Sequence, residues 1–250
     1  MTTLDFLGTG NFSAPGRYWN SFVLDGTVLV EPSPTALPNL RRCGLGVQAL
    51  DAVVISHFHA DHTFGWPFLL LEIVLHRDDR PLFVVGPRGV EQFLTDMLEL
   101  GGVPNIRDAA AATANLRFVE VDPRADHGGG AWQEAGALRF QAVEVEHVDD
   151  LDCYGYLFER DGRVVGYSGD TRPCAGLTTL ATASDVLVVE CNGAHQPPPV
   201  PVTHMDRDAI RELRAAHPDT PFVLTHLGED VDVADLGDTR VPNDFDRIEV

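Results

Sequence analysis

Apolar residues fall into runs of strand length along the chain, separated by short polar segments. The runs are Leu4 to Leu7, Ser21 to Val30, Val53 to Ser56, Leu82 to Val85, Leu116 to Val121 and Arg139 to Val148, then Tyr154 to Glu159, Arg163 to Tyr167, Val186 to Glu190 and Phe222 to Thr225. Asp161-Gly162 separates two of them by two residues, the composition of a primed turn, and predicts a hairpin over Tyr154 to Tyr167. Helical spacing takes over in Leu37 to Gln48, Pro67 to Arg77, Gly89 to Leu100 and Met205 to His217. In the last of these, Ala209, Ile210, Leu213 and Ala216 form one stripe, and Thr203 followed by Asp206 predicts a capping box that starts the helix beside His204. Asp122 to Gly136 and Gln196 to Pro201 read as loops. No fixed-period repeat and no clear linker appear, so one α/β domain over 1–250 is expected.

Composition narrows the class. Hydrophobic residues at 44% and charged residues at 22% describe an ordinary globular chain and exclude disorder and coiled coil. The most apolar stretch, Phe64 to Leu75, is broken by Gly65, Pro67 and Glu72 and is too short to span a bilayer, so a core helix and no membrane partner are expected. The N-terminus lacks the basic, apolar and small-residue segments of a secretory signal, which predicts a cytoplasmic protein. Cys43, Cys153, Cys174 and Cys191 are scattered without a Cys-x-x-Cys pair, which predicts reduced thiols.

Charge removes further classes. Thirty-eight acids oppose eighteen bases for a net charge of −20, and every base is Arg. Without Lys there is no Schiff-base lysine and no Walker-type phosphate-loop lysine. The acidic excess also opposes a stable nucleic-acid partner, whose phosphates need many cations, and points to a small substrate.

The strongest chemical signal follows Val53-Val54-Ile55-Ser56. There His57-Phe58-His59-Ala60-Asp61-His62 places four metal-capable side chains in six residues at the end of a buried strand. His147, Asp170 and His226 each follow another apolar run. Ends of buried strands converge on one sheet edge, so these distant residues can meet there. Singly, each is as easily an ordinary loop residue; the joint pattern points to a metal centre. Glu190 ends a strand and His204 precedes a helix, so a carboxylate beside this His can keep it protonated for general-acid work. His76, His127, His195 and His217 carry no expected role; His195, in the loop between Glu190 and His204, is expected to be solvated.

The order His-x-His-x-Asp-His, then His, Asp and His, resembles the metallo-β-lactamase superfamily over nearly the whole chain. Phe6-Leu7-Gly8-Thr9-Gly10, Pro81 to Leu98 with Gly86-Pro87, and Tyr167-Ser168-Gly169-Asp170-Thr171-Arg172-Pro173-Cys174 resemble its ribonuclease Z branch most closely, and Arg17 and Asn20 resemble the end of that branch's substrate loop, although its lysine is missing. The resemblance implies a four-layer αβ/βα sandwich and two divalent metal ions. His57, His59 and His147 would hold one ion, Asp61, His62 and His226 the other, with Asp170 bridging. Nitrogen and oxygen ligands without thiolate make zinc the first choice and also suit manganese or iron. A water between two such ions loses its proton easily, which supplies a hydroxide nucleophile; two ions outweigh Asp61, Asp170 and that hydroxide, leaving the pocket positive inside an acidic shell. Asp61 would orient the nucleophile, and the resemblance gives Glu190 and His204 the protonation of the leaving oxygen.

Departures from ribonuclease Z are equally informative. The interval from His147 to Asp170 is 23 residues, mostly filled by the predicted hairpin, with no room for that branch's tRNA-gripping arm. Glu144, Glu146, Asp149, Asp150 and Asp152 crowd His147 and repel a polyanion. The expected activity is hydrolysis of a small or short phosphodiester. The alternatives are a tRNA 3′-end endonuclease, a lactone, thioester or β-lactam hydrolase, and a non-enzymatic metal-binding module. The resemblance also suggests a homodimer.

Overall fold

The computed structural model describes residues 1–113, 115–124, 130–193 and 202–250. Its first half contains β1 (Thr3–Gly8), β2 (Ser21–Leu24), β3 (Val28–Val30), α1 (Ala36–Arg42), β4 (Ala52–Val54), α2 (Ala60–Thr63), α3 (Trp66–His76), β5 (Leu82–Pro87), α4 (Val90–Leu100), α5 (Pro104–Thr113) and β6 (Leu116–Val121). The second contains β7 (Gln133–Ala135), β8 (Leu138–Glu144), β9 (Tyr154–Arg160), β10 (Arg163–Tyr167), α6 (Ala175–Ala183), β11 (Val186–Glu190), α7 (Arg207–Ala216), β12 (Phe222–Thr225), β13 (Thr239–Arg240) and β14 (Arg247–Glu249).

The strands form two seven-stranded mixed sheets, β14-β1-β2-β3-β4-β5-β6 and β13-β12-β11-β10-β9-β8-β7. Leu4, Phe6, Val54, Phe140, Tyr156, Val188 and Val223 fill the layer between the sheets. Leu7, Val23 and Val53 on the outer face of the first sheet pack against Leu40, Leu69, Ile73 and Leu94 of α1, α3 and α4. Leu157, Leu187 and Leu224 on the outer face of the second pack against Leu177, Leu180 and Ile210 of α6 and α7. The result is the expected four-layer αβ/βα sandwich. Both faces of each sheet are covered, so neighbouring positions such as Val53 and Val54 are apolar for opposite neighbours, and the sequence reads as runs rather than alternation. Each such large side chain contributes about 1.5–3 kcal/mol by leaving water.

Several local expectations change. The run Ser21 to Val30 is a hairpin, because Asp25 and Gly26 take φ of 48° and 67° and close a primed turn between β2 and β3. The same chemistry recurs at Asp161-Gly162, φ 50° and 77°, where the predicted hairpin β9–β10 forms. The run Arg139 to Val148 ends as strand at Glu144. The helix predicted over Leu37 to Gln48 stops at Arg42 and is followed by a 3-10 turn at Val47–Ala49. No Thr203 capping box forms: Asp206 is itself the N-cap, accepting from the Ala209 N–H at 2.8 Å, so α7 begins at Arg207 and His204 sits in the preceding loop. Helices α5 and α6 and the short strands β7, β13 and β14 are additional. His127, His195 and the Gln196 to Pro201 loop lie outside the described residues.

Among the described residues no helix is long and apolar enough to cross a membrane. Strand direction positions the site: β3 is parallel to β4, and β10, β11 and β12 are parallel to one another. β8, antiparallel to β9, which is antiparallel to β10, shares that direction. The segments leaving these strands therefore emerge on common edges, where polar side chains gather.

Candidate metal centre

His57 follows β4 by three residues, and the chain then enters α2 with His59 as N-cap and Asp61 and His62 inside the helix. His147 follows β8, Asp170 follows β10 and His226 follows β12. Gly169 has φ of 58°, and a Cβ there would stand 2.7 Å from the Tyr154 carbonyl oxygen, so the turn that delivers Asp170 requires glycine.

The predicted residues converge. Ligand-capable atoms of His57, His59, His147 and Asp170 all lie within 4.8 Å of one another, and so do those of Asp61, His62 and His226. Asp170 Oδ2 joins the groups: it is 3.8 Å from His57 Nε2, 3.9 Å from His147 Nε2, and 3.3 Å from the Nε2 atoms of both His62 and His226. Asp61 Oδ2 stands 3.5 Å from His226 Nε2 and 3.7 Å from His62 Nε2. His147 Nδ1 donates to the Thr203 carbonyl at 2.7 Å, which fixes the tautomer and leaves the Nε2 lone pair facing the cluster, 3.3 Å from His59 Nδ1.

These donors suit a divalent cation. His57 Nε2, both ring nitrogens of His62 and of His226, and Asp170 Oδ1 are buried and make no hydrogen bond among the described residues. Each such atom costs about 1–3 kcal/mol when left without a partner, and a cation among them would satisfy several at once. The imidazole and carboxylate set suggests a divalent metal site.

Electrostatics differ across the cluster. Burial, reinforced by His62, pushes His57 well below the ordinary imidazole range. Burial also lowers His59, and lowers His147 to about 4. His62 moves the opposite way: burial opposes its charge, but Asp170 and Glu31 outweigh it and raise the group well above its usual value. Asp170 is held well below the carboxylate range, against its burial, by His226 and His62. Asp61 is lowered by His226, again against burial.

Glu190 and His204 meet beside this cluster. His204 Nδ1 donates to Glu190 Oε1 at 2.9 Å, and the same oxygen accepts the Thr171 N–H at 2.7 Å. The His204 ring lies 5.4 Å from that of His226 and 4.6 Å from that of His147. Burial works against a charged His204, yet Glu190 raises it to about 9. Burial pushes Glu190 itself up.

Glu31 was not expected at the site. It follows β3, is fully buried, and stands 3.6 Å from His62 Nδ1 through Oε2. Its carboxylate accepts the Ser56 N–H at 3.2 Å and the Tyr167 hydroxyl at 3.1 Å. Asn20 donates to that hydroxyl at 2.9 Å and accepts from Thr225 at 2.6 Å, so Asn20 is a buried link and not a free substrate-loop residue. Arg17 is likewise engaged, with Thr9 and Asp230. Glu31 and His226 have φ of 58° and 52°, in the left-handed region that favours glycine. Such positions cost about 1–3 kcal/mol and persist where surrounding structure imposes them. A carboxylate ending the apolar run Val28-Leu29-Val30 was the available signal. Its negative charge offsets the positive balance expected from Asp61 and Asp170 alone.

A family model described as Beta-lactamase superfamily domain matches residues 26–227. The chain is 28% identical over 191 residues to ribonuclease BN of Citrobacter koseri, covering 56% of this chain and 58% of that protein. It is 27% identical over 234 residues to ribonuclease Z of Methanosarcina mazei, covering 75% and 74%. The chain thus spans less than two thirds of the Citrobacter relative's length. Among solved structures, a diphosphatase from the PhnP family superposes with a TM-score of 0.72 at 20% identity, over 100% of this chain and 98% of that one.

Proposed function

As the chain belongs to the β-lactamase superfamily, we propose that it is a metal-dependent hydrolase and, within that class, a phosphodiesterase on a small or short substrate. The observation that carries this reading is the Glu190–His204 pair: a proton donor held by a buried carboxylate beside the His and Asp cluster. Loss of an alkoxide from phosphorus needs such a donor, whereas a β-lactam, lactone or thioester can be opened at the same cluster without it.

On this reading His57, His59 and His147 would hold one ion and Asp61, His62 and His226 the other, with Asp170 available to both; zinc would suit the nitrogen and oxygen donors, as would manganese and iron. Two divalent ions held there would supply Lewis acidity toward a phosphoryl oxygen and would make the hydrolytic water more acidic than bulk water. Asp61 orients that water through its exposed edge and accepts its proton. His204 donates from Nε2 to the leaving oxygen, because Nδ1 is committed to Glu190. The Thr171 N–H keeps the Glu190 carboxylate in line with the ring.

The names of the relatives favour a second reading, cleavage at the 3′ end of tRNA. Against it stand the charge of −20 and the interval between His147 and Asp170, which holds the hairpin β9–β10. The deciding experiment offers zinc- or manganese-loaded protein bis(p-nitrophenyl) phosphate, an alkyl phosphodiester, a precursor tRNA and a lactone. Phosphodiester turnover is expected to lead, and His204→Ala should slow the alkyl ester by about 100-fold or more while sparing the p-nitrophenyl ester. Lactone cleavage tenfold faster than phosphodiester cleavage would sink the reading, and preferred cleavage of tRNA would promote the second.

A further inference from the structure

A cavity of about 820 Å³ opens between α3, α4, α5 and the edge strand β6, and none of the clustered His and Asp residues lines it. Its floor is apolar: Trp66 and Leu70 of α3, Leu94 and Leu98 of α4, and Phe118 of β6. The first four are at most 2% exposed. A cleft of this size, with an apolar floor and a few polar groups, is the form that takes small organic molecules.

Trp66 sets the chemistry of the floor. Its indole N–H is a donor only, and it has no hydrogen-bond partner among the described residues. A buried Trp normally finds one, and a donor left unpaired costs about 1–3 kcal/mol. Trp19, by comparison, donates to the Phe12 carbonyl at 3.1 Å. The rim sets the charge. Arg107 is engaged by Glu99 at 2.9 Å and by Asp108 at 3.2 Å. Strand alternation turns Arg117, with Val119, to the face opposite Leu116 and Phe118. Glu91 and Glu120 make no ion pair among the described residues, so the rim disfavours an anion.

We propose that this cavity is a binding site for a flat, uncharged aromatic compound whose ring carries a hydrogen-bond acceptor. The acceptor meets the Trp66 N–H, and the ring packs against Leu94, Leu98 and Phe118. A purely hydrocarbon ring leaves the donor unpaired, and a carboxylate or phosphate meets the acidic rim. The site is separate from the proposed catalytic one but rests on elements tied to it. Helix α3 begins at Trp66, four residues after His62. Phe93, between the lining residues Gln92 and Leu94 of α4, stacks on Phe58 at 4.4 Å.

Titration of the zinc-loaded, nitrogen-15-labelled protein with quinoline, followed through the indole N–H signals of its three Trp residues, tests this. Trp66→Phe assigns the signal. Indole, a similar fused ring that donates and does not accept, is the matched probe, and Ala111→Phe, at the exposed mouth, narrows the cavity. Quinoline is expected to move the Trp66 proton downfield and saturably while the other two stay in place. It should bind about fivefold more tightly than indole, the worth of one neutral hydrogen bond, and about fivefold more weakly to folded Ala111→Phe. No shift at millimolar quinoline overturns the proposal, as do equal shifts of all three signals or equal binding of indole. An unchanged titration in Ala111→Phe also overturns it, because quinoline then acts elsewhere, on the metal for example. The quinoline and indole comparison on native protein decides the matter even if Ala111→Phe does not fold.

Discussion

His57 and His62 are five residues apart, both buried, with ring centroids 4.3 Å from each other, yet they hold protons oppositely. Around His57 the neighbours are the imidazoles of His59 and His147, and its contact with Asp170 is long at 3.8 Å. Around His62 stand three carboxylates, Asp170 at 3.3 Å, Glu31 at 3.6 Å and Asp61 at 3.7 Å. Both rings are fully buried, so burial opposes charge on each; the carboxylates around His62 overcome it, and the charge they place on His62 pushes His57 further down. The metal-free chain therefore offers neutral donors on the His57 side and a proton in the place of a cation on the His62 side. Ion entry must displace that proton, so binding on the second side is expected to be the more pH-dependent.

The largest break in this contrast comes from the carboxylate that both sides share. Asp170→Asn keeps the shape and removes the charge. It should lower kcat/KM on bis(p-nitrophenyl) phosphate by about 1000-fold or more and reduce the metal recovered per chain on both sides. Retention of one full equivalent of metal with activity within tenfold of native would show that Asp170 serves only one side.

The contrast itself was only half legible in the sequence. His57 to His62 stood out because four metal-capable residues end a buried run, and His147, Asp170 and His226 followed from the rule that buried strands end on one edge. Glu31 obeys the same rule, but Val30-Glu31-Pro32 also reads as an ordinary strand exit, and only the fold brings it to His62. The double-sheet sandwich was legible because covered faces leave continuous apolar runs. Helix α5 was not, since Pro104-Asn105-Ile106-Arg107 followed by Ala109, Ala110 and Ala111 carries almost no apolar periodicity. Helix α6 begins at a Cys174 N-cap, whose Sγ accepts the Leu177 N–H, in place of the usual Ser, Thr or Asp signal. The spacing of Thr203 and Asp206 misplaces the start of α7, because Asp206 is the cap itself.

A smaller change sharpens the comparison without touching the proposed metal-holding residues. Glu31→Gln removes one of the carboxylates beside His62 and keeps a group able to accept from Ser56 and Tyr167. Loss of such an outer partner costs metal affinity about 10–100-fold, and the loss should fall on one of two binding steps in a chelator-competition titration. Equal shifts of both steps, or none, would mean that the two sides are not electrostatically distinct.

His204 extends the rule outside both sides and gives the smallest effect. It touches one carboxylate, Glu190, and is raised from 6.5 to about 9 against its burial. A group whose folded pKa lies above its unfolded value stabilises the fold fully below the unfolded pKa, and that contribution fades as pH rises through the folded one. In metal-free protein the pair should therefore stabilise the fold at pH 6 and cease to do so by about pH 9.5. The difference is on the order of 2 kcal/mol, or about 4–8 °C in Tm for a chain of this size. Cysteine thiols and other groups titrate in the same range, so the quantity to measure is the native melting profile against that of Glu190→Gln, in which His204 returns toward its ordinary range. The gap between the two profiles should change between about pH 6.5 and 9.5, with the native protein losing stability relative to the variant, and stay constant above that window. Parallel profiles across that window would show that contact with a carboxylate does not by itself load an imidazole here, and the explanation of the His57 and His62 contrast would fall with it.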